Sequence, residues 1–271
     1  MTDKMENAMV KELGETALNM YMKGWAERNG GNISVLLDEK ESAAFVRGKE
    51  NGRIVPLQVK VKELAGCTFL VTGTGKYFKN MKKAPERNMG AVRICPEGDT
   101  AEILWGLEDG GNVTSEFSSH LLAHAARRKI DGEHHVIIHT HPVNLICMSF
   151  FHEMTDRAFT NALWKTCTEC ILVFPDGIGV IPWMVSANAE IAALTAQKMG
   201  EHRLVLWGQH GIYGAGKNFD EVLGLIETVE KAAEIYLKTR CGPVRQGIDD
   251  FGLQRLAETY KLDYRKDYLD L

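Results

Sequence analysis

No segment of this 271-residue chain reaches 18 uninterrupted apolar residues, and its opening stretch, MTDKMENAMVKELGETALNMY, mixes both charge signs without the apolar centre of a secretory signal. A membrane partner is therefore not expected, and the chain reads as cytoplasmic. It also lacks any Lys/Arg-rich stripe. With 32 basic against 36 acidic residues its formal charge is −4, which argues against nucleic acid as a partner. Cysteine is sparse: Cys67, Cys95, Cys147, Cys167, Cys170 and Cys241 lie mostly inside apolar segments, which favours reduced thiols over a disulfide framework. Cys167 and Cys170 form a CxxC with no second pair and no thioredoxin-like surround, so neither a zinc knuckle nor a redox centre is expected there. Repeats, low-complexity tracts and Pro/Ser-rich linkers are absent, so one domain over residues 1–271 is expected. No GxGxxG follows a strand. A nucleotide P-loop around Gly75 and Lys76 fails as well, because Leu70 stands where its first glycine belongs and Tyr77 where a Mg²⁺-binding hydroxyl is needed.

What is present is a composition of 45% hydrophobic and 25% charged residues, enough for a sizeable core and without signs of disorder; with the charge balance above, a soluble metabolic enzyme fits better than a nucleic-acid binder. Met9, Leu13, Ala17, Met20, Tyr21 and Trp25 form a helical stripe over about residues 6–28, stopped by Asn29, Gly30 and Gly31. Strands are expected at Ile33–Leu37, Arg53–Val59, Cys67–Val71, Ala101–Gly106, Val136–Thr140, Ile171–Phe174, Gly179–Trp183, Arg203–Trp207 and Gly211–Tyr213. Helices are expected from the Thr114–Ser115 region to about Lys129, from Pro142, around Thr160–Lys165, and at Asn188–Glu201 and Phe219–Lys238, with a helical tail over about 243–271. Residues 39–66 otherwise read as charged and irregular. The class is α/β. Short connections such as Pro175-Asp176-Gly177 between expected strands argue for a mixed, largely antiparallel sheet.

Chemistry concentrates in the histidines. With 9 His in 271 residues an HxH arises by chance roughly 0.3 times per chain, so spacing alone says little. His139 and His141 sit, however, at the end of the β-branched run Val136-Ile137-Ile138, where a strand delivers i and i+2 side chains to one side. His210 closes a second apolar run. The three imidazoles together look like a metal site whose shell stops short of closure, which suits catalysis. Imidazole ligands suit Zn²⁺ and also Co²⁺, Mn²⁺ or Fe²⁺.

Three loops could hold an anion: Asn29-Gly30-Gly31-Asn32, Gly73-Thr74-Gly75-Lys76 and Thr114-Ser115. Taken singly, each reads more readily as an ordinary turn or N-cap than as an anion site. Glu116, just after Thr114 and Ser115, is open to two readings: a charge that favours its helix by about 0.3–1 kcal/mol, or a group that moves a proton beside the metal.

In this order the segments KGWAERNGGNIS, FLVTGTGKYFKN, VTSEFSSHLLAH, VIIHTHPVNLI, TECILVFPDGIGVIPWMV and LVLWGQHGIYGAG resemble the class II aldolases that act on sugar phosphates. The resemblance runs from about Gly24 to Gly216; residues 36–66 match poorly and the tail after Cys241 loosely. It implies a single three-layer α/β/α domain with a mixed, largely antiparallel sheet, one Zn²⁺ per subunit on His139, His141 and His210, and Glu116 as catalytic acid/base. Asn29, Asn32, Thr74, Thr114 and Ser115, with the backbone of Gly31 and Gly75, would hold the substrate's phosphate; Thr74 stands where a Ser is common. Glu169 would enter a neighbouring subunit's site in a homotetramer. The TECILVFPDGIGVIPWMV segment tips the implied activity towards retro-aldol cleavage of L-rhamnulose 1-phosphate into dihydroxyacetone phosphate and L-lactaldehyde. Related branches cleave fuculose phosphate or epimerise ribulose phosphate at C4. Zn²⁺ would stabilise the enediolate and dominate the barrier, since its effect on a bound water's pKa is worth roughly 12 kcal/mol against about 3–4 for one oxyanion hydrogen bond. Glu116 would protonate the enediolate carbon, and Glu169 or Tyr213 would serve the C4 hydroxyl. From the residues alone, a metal-dependent hydrolase or a non-enzymatic metal-binding protein stays open.

Overall fold

Strand-forming runs that are largely apolar and buried on both faces build the centre of the molecule. The computed structural model describes residues 7–46, 52–243 and 245–271. The first residue of the expected N-terminal helix, residues 47–51 of the stretch read as irregular, and residue 244 of the tail lie outside the described residues. The elements are α1 (Ala8–Met22), β1 (Asn32–Leu37), α2 (Glu39–Val46), β2 (Arg53–Pro56), β3 (Thr68–Thr72), α3 (Phe78–Met81), α4 (Pro85–Asn88), β4 (Met89–Ile94), β5 (Thr100–Gly106) and α5 (Phe117–Ile130). They continue as β6 (Val136–Thr140), α6 (Val143–Met148), α7 (Asp156–Trp164), α8 (Glu169–Val173), β7 (Ile178–Ile181), α9 (Ala189–Met199), β8 (Leu204–Trp207), β9 (Gly211–Gly216), α10 (Phe219–Thr239) and α11 (Asp250–Thr259).

The strands form one sheet in the order β2-β5-β4-β3-β1-β6-β9-β8-β7, and of its pairs only β7–β8 runs parallel among the described residues. Alternate side chains go to opposite layers, as the two-residue repeat of a strand requires. Ile33 and Val35 of β1, Val136 and Ile138 of β6, and Leu204 and Leu206 of β8 join a core with α1, α6, α7, α8 and α10. On the other face Phe69 and Val71 meet Phe117 and Leu121 of α5, while Ile137, Val205 and Tyr213 meet Ile191 and Met199 of α9. The result is a mixed, largely antiparallel sheet between two helical layers, as expected. No helix among the described residues is long and apolar enough to cross a membrane.

Several elements differ from the reading of the sequence. The first helix ends at Met22, not near Arg28, because Gly24 takes φ +77° and closes the helix with Trp25 N–H donating back to Met20 O at 3.0 Å. Residues 25–31 are thereby freed to run along the end of β6. Ile171–Phe174 is not a strand but part of helix α8 and its end, and the Trp164 indole donates to Phe174 O at 3.2 Å. A four-residue apolar run cannot by itself distinguish a buried strand from one buried helical turn. Pro175–Gly177 consequently joins a helix to a strand; the antiparallel character comes instead from β3, β4 and β5 pairing in succession and from β8 with β9. The strand β4 and the helices α2, α3 and α4 were not foreseen. All six cysteines are free thiols.

Candidate active site

β1 begins, β3 and β6 end, and β9 begins at one edge of the sheet, so their connecting loops meet there. Register places Asn32 opposite His139 and His139 opposite Tyr213, a row across three strands with all three side chains on the α5 face. His141 follows two residues on, beyond the end of β6. His210 stands in the turn from β8 to β9. That turn is held by Gln209, which adopts φ +53° and donates from its backbone N–H to Ser149 Oγ at 2.9 Å and from its side chain to Ser149 O at 2.7 Å. One ring nitrogen each from His139, His141 and His210 then lie within 4.8 Å of one another.

The ring environments decide which nitrogens face the centre. His139 Nδ1 lies 3.1 Å from Ile212 O, and His141 Nδ1 lies 3.0 Å from the Glu27 carboxylate, so each Nδ1 carries the proton and donates it. Both Nε2 lone pairs are left facing each other at 3.3 Å. Two acceptors that close repel unless a cation lies between them, and neutral imidazoles are what a divalent transition metal requires. Burial holds His139 well below the ordinary histidine range and lowers His210 too, so both favour the neutral, ligating form. This donor set fits a divalent metal and could hold one.

Glycine makes room for these rings. Gly31 has φ +78°, and a Cβ there would sit 2.9 Å from His139 O; a Cβ on Gly30 would come within 2.8 Å of His141 Nδ1.

Glu116 occupies the N-cap position of α5 but makes no side-chain cap bond. Its carboxylate turns into the site, where Oε2 accepts from Asn32 Nδ2 at 2.8 Å and from Tyr213 OH at 3.0 Å. It lies 3.5 Å from His139 Nε2 and 3.8 Å from His210 Nε2. The carboxylate is thus aimed at the cluster of imidazoles, the placement that its second reading requires.

A cavity of about 170 Å³ opens beside it, lined by Asn29, Gly31, Asn32, Thr74, Gly75, Thr114, Ser115, Glu116, His141 and His210, among others. The three loops singled out as anion-holding thus converge on one polar pocket. A second cavity of about 470 Å³ shares His141 and His210 and is walled by Val143, Ile146 and Cys147. Two expected residues stand apart. Asn32 lines the first pocket, but its side chain is engaged by Glu116 and His120. Glu169 is exposed at the start of α8, in the opposite layer, and lines neither cavity of its own chain. Tyr213 is fully buried and bonded to Glu116, away from open solvent, and burial pushes its phenol well above the ordinary range.

Sequence reasoning missed Glu27, which orients His141, and Glu230. The latter, buried on α10, accepts from the backbone N–H groups of Asn144 and Leu145 at 3.0 and 2.9 Å, capping α6 just after the histidine pair. A signal for it was the unusual acid inside an apolar helical stripe. Glu27 had none beyond lying two residues before Asn29.

A family model, the class II aldolase and adducin N-terminal domain, matches residues 11–237. A rhamnulose-1-phosphate aldolase of Enterococcus faecalis is 48% identical over 267 residues, covering 98% of this chain and 96% of that protein. One from Listeria monocytogenes (strain EGD-e) is 47% identical over 269 residues, covering 99% and 98%. The alignments therefore span residues 36–66 and the C-terminal tail as well as the motif-bearing segments. A solved sugar-phosphate aldolase from Thermotoga maritima superposes with a TM-score of 0.75 at 30% identity, covering 87% of this chain and 96% of that one.

Proposed function

The chain belongs to the class II aldolase family, and from that membership we propose that it cleaves L-rhamnulose 1-phosphate between C3 and C4 into dihydroxyacetone phosphate and L-lactaldehyde. The observation that carries the reading is the joining of three inward-facing imidazoles and one carboxylate to a polar pocket built from three loops. The names and near-full-length similarity of the Enterococcus and Listeria relatives support the choice of substrate.

His139, His141 and His210 would hold a divalent metal, which we take to be Zn²⁺, one of the ions that suit three imidazoles. When bound it supplies Lewis acidity for the negative charge that bond cleavage places on the triose half. Asn29, Thr74, Thr114 and Ser115, with the N–H groups of Gly31 and Gly75, receive the phosphate and so fix which end of the sugar approaches the imidazoles. Asn32 completes the pocket wall and steadies Glu116. The apolar cavity walled by Val143, Ile146 and Cys147 takes the aldehyde half with its methyl group. A base removes the C4 hydroxyl proton as the C3–C4 electron pair passes to the triose half. The Glu116 carboxylate takes up a proton from solvent, delivers it to C3 to complete dihydroxyacetone phosphate and returns to a carboxylate. The base releases the C4 proton to solvent, so that one proton moves in net from O4 to C3. Glu169 of a neighbouring subunit is the proposed group at the C4 oxygen, because Tyr213 is already committed to Glu116. The reading includes a cytoplasmic homotetramer forming one domain per chain.

Incubation of the zinc-loaded protein with rhamnulose, fuculose and ribulose phosphates tests this. Triose phosphate and lactaldehyde should appear from the first in marked preference. Faster cleavage of fuculose phosphate, or only an epimer from ribulose phosphate, would reassign the substrate.

A further inference from the structure

Beneath Glu116 lies a set of buried polar side chains that the reaction itself does not use. Ser34 on β1 and His120 and His124 on α5 are each 0% exposed. Ser34 Oγ lies 2.7 Å from His120 Nδ1 and 2.8 Å from His124 Nε2, while His120 Nε2 meets Asn32 Oδ1. From Asn32 the chain of contacts reaches Glu116 Oε2.

Only one direction of donation satisfies every contact. Glu116 as a carboxylate only accepts, so Asn32 must turn its NH₂ to it and its oxygen to His120. His120 then carries its proton on Nε2 and accepts on Nδ1 from the Ser34 hydroxyl. Ser34 in turn accepts from His124 Nε2–H, leaving only a lone pair at His124 Nδ1, the one atom of the series without a partner among the described residues. Reversing the series would bury an unsatisfied N–H there and turn the oxygen of Asn32 against the carboxylate, both unfavourable. Burial keeps the two rings neutral, pushing His120 down to about 3 and His124 well below its ordinary range. A single proton on each ring is what gives the series a direction.

We propose that Ser34, His120 and His124 are positioning residues whose one-way hydrogen-bond series locks the amide of Asn32, and through it the carboxylate of Glu116, in the orientation needed for proton transfer. This rests on Glu116 being the acid/base of the proposed aldol cleavage. It also gives Asn32 a role other than phosphate contact: its side chain is the last link to Glu116.

The test compares His120→Leu, His120→Gln and Ser34→Ala in the metal-loaded enzyme. His120→Leu removes the donor to Asn32 at similar volume and should lower kcat by about 10–100-fold, with KM within about threefold and metal content unchanged. His120→Gln places an amide N–H near the lost Nε2–H and should restore most of that loss; Ser34→Ala should fall between. Equal losses in Leu and Gln that track the drop in Tm, or full turnover in His120→Leu, would overturn the proposal. Nitrogen-15 NMR of the unliganded protein supplies a readout independent of any substrate. His120 and His124 should both be Nε2–H tautomers, and Nδ1–H on either ring would overturn the series even if the substrate assignment were itself wrong.

Discussion

Glu116 forgoes the capping role its position offers and spends both oxygens on the site, so Glu116→Gln should leave folding and bound metal intact. Turnover should fall by about 10²–10⁴, measured as kcat beside metal content. His210→Ala removes one of three imidazoles and should cost both metal and activity; a variant retaining full zinc and normal rate would contradict its assignment as a ligand. Thr74→Ala deletes a single hydroxyl of the pocket proposed to hold the phosphate, and KM should rise about tenfold with little change in kcat. The histidines were legible in the sequence because HxH ends a β-branched run, whereas Glu116 and the Gly-rich turns were open to ordinary structural readings and were singled out together only through the family resemblance. Glu27 and Glu230 were not, since their roles depend on which distant backbone or ring they face.

Helix α6 has only Pro142 at its N-cap and depends on Glu230 for its first free N–H groups. Glu230→Leu should therefore destabilise the fold by about 2–4 kcal/mol, read by urea unfolding, and should weaken metal retention because α6 follows His141 directly. A second clasp joins α7 to α9. Asp156 Oδ2 lies 2.5 Å from Lys198 Nζ, and Asp156 Oδ1 accepts from Val180 N at 2.7 Å. Burial alone would raise this carboxyl, but His202, Lys198 and the Val180 N–H outweigh it and bring it down to about 2. With the folded value below the unfolded one near 3.8, its contribution of about 2 kcal/mol is complete above pH 4 or so and lost as pH falls through 2. Asp156→Asn should flatten that part of an acid unfolding curve. Elements with long periodic patterns, such as α10, were readable from sequence, whereas α8 and β4 were not. Their apolar runs are too short for periodicity to choose a conformation, and packing chose it.

The sheet explains how loops from separate parts of the chain serve one pocket. Antiparallel neighbours alternate direction, so the start of β1 and β9 and the end of β3 and β6 fall on one edge. α/β class and the antiparallel bias were legible, although the turn at Pro175–Gly177 used to argue for the bias connects a helix to a strand instead. Strand order was not legible, since it depends on cross-strand pairing over long sequence separations. The most direct check on the whole is a zinc titration of chelator-treated protein, following lactaldehyde release from L-rhamnulose 1-phosphate. Activity should climb in proportion to bound zinc and level off at one ion per chain. Full speed in the stripped protein, or no aldehyde at any occupancy, would contradict it.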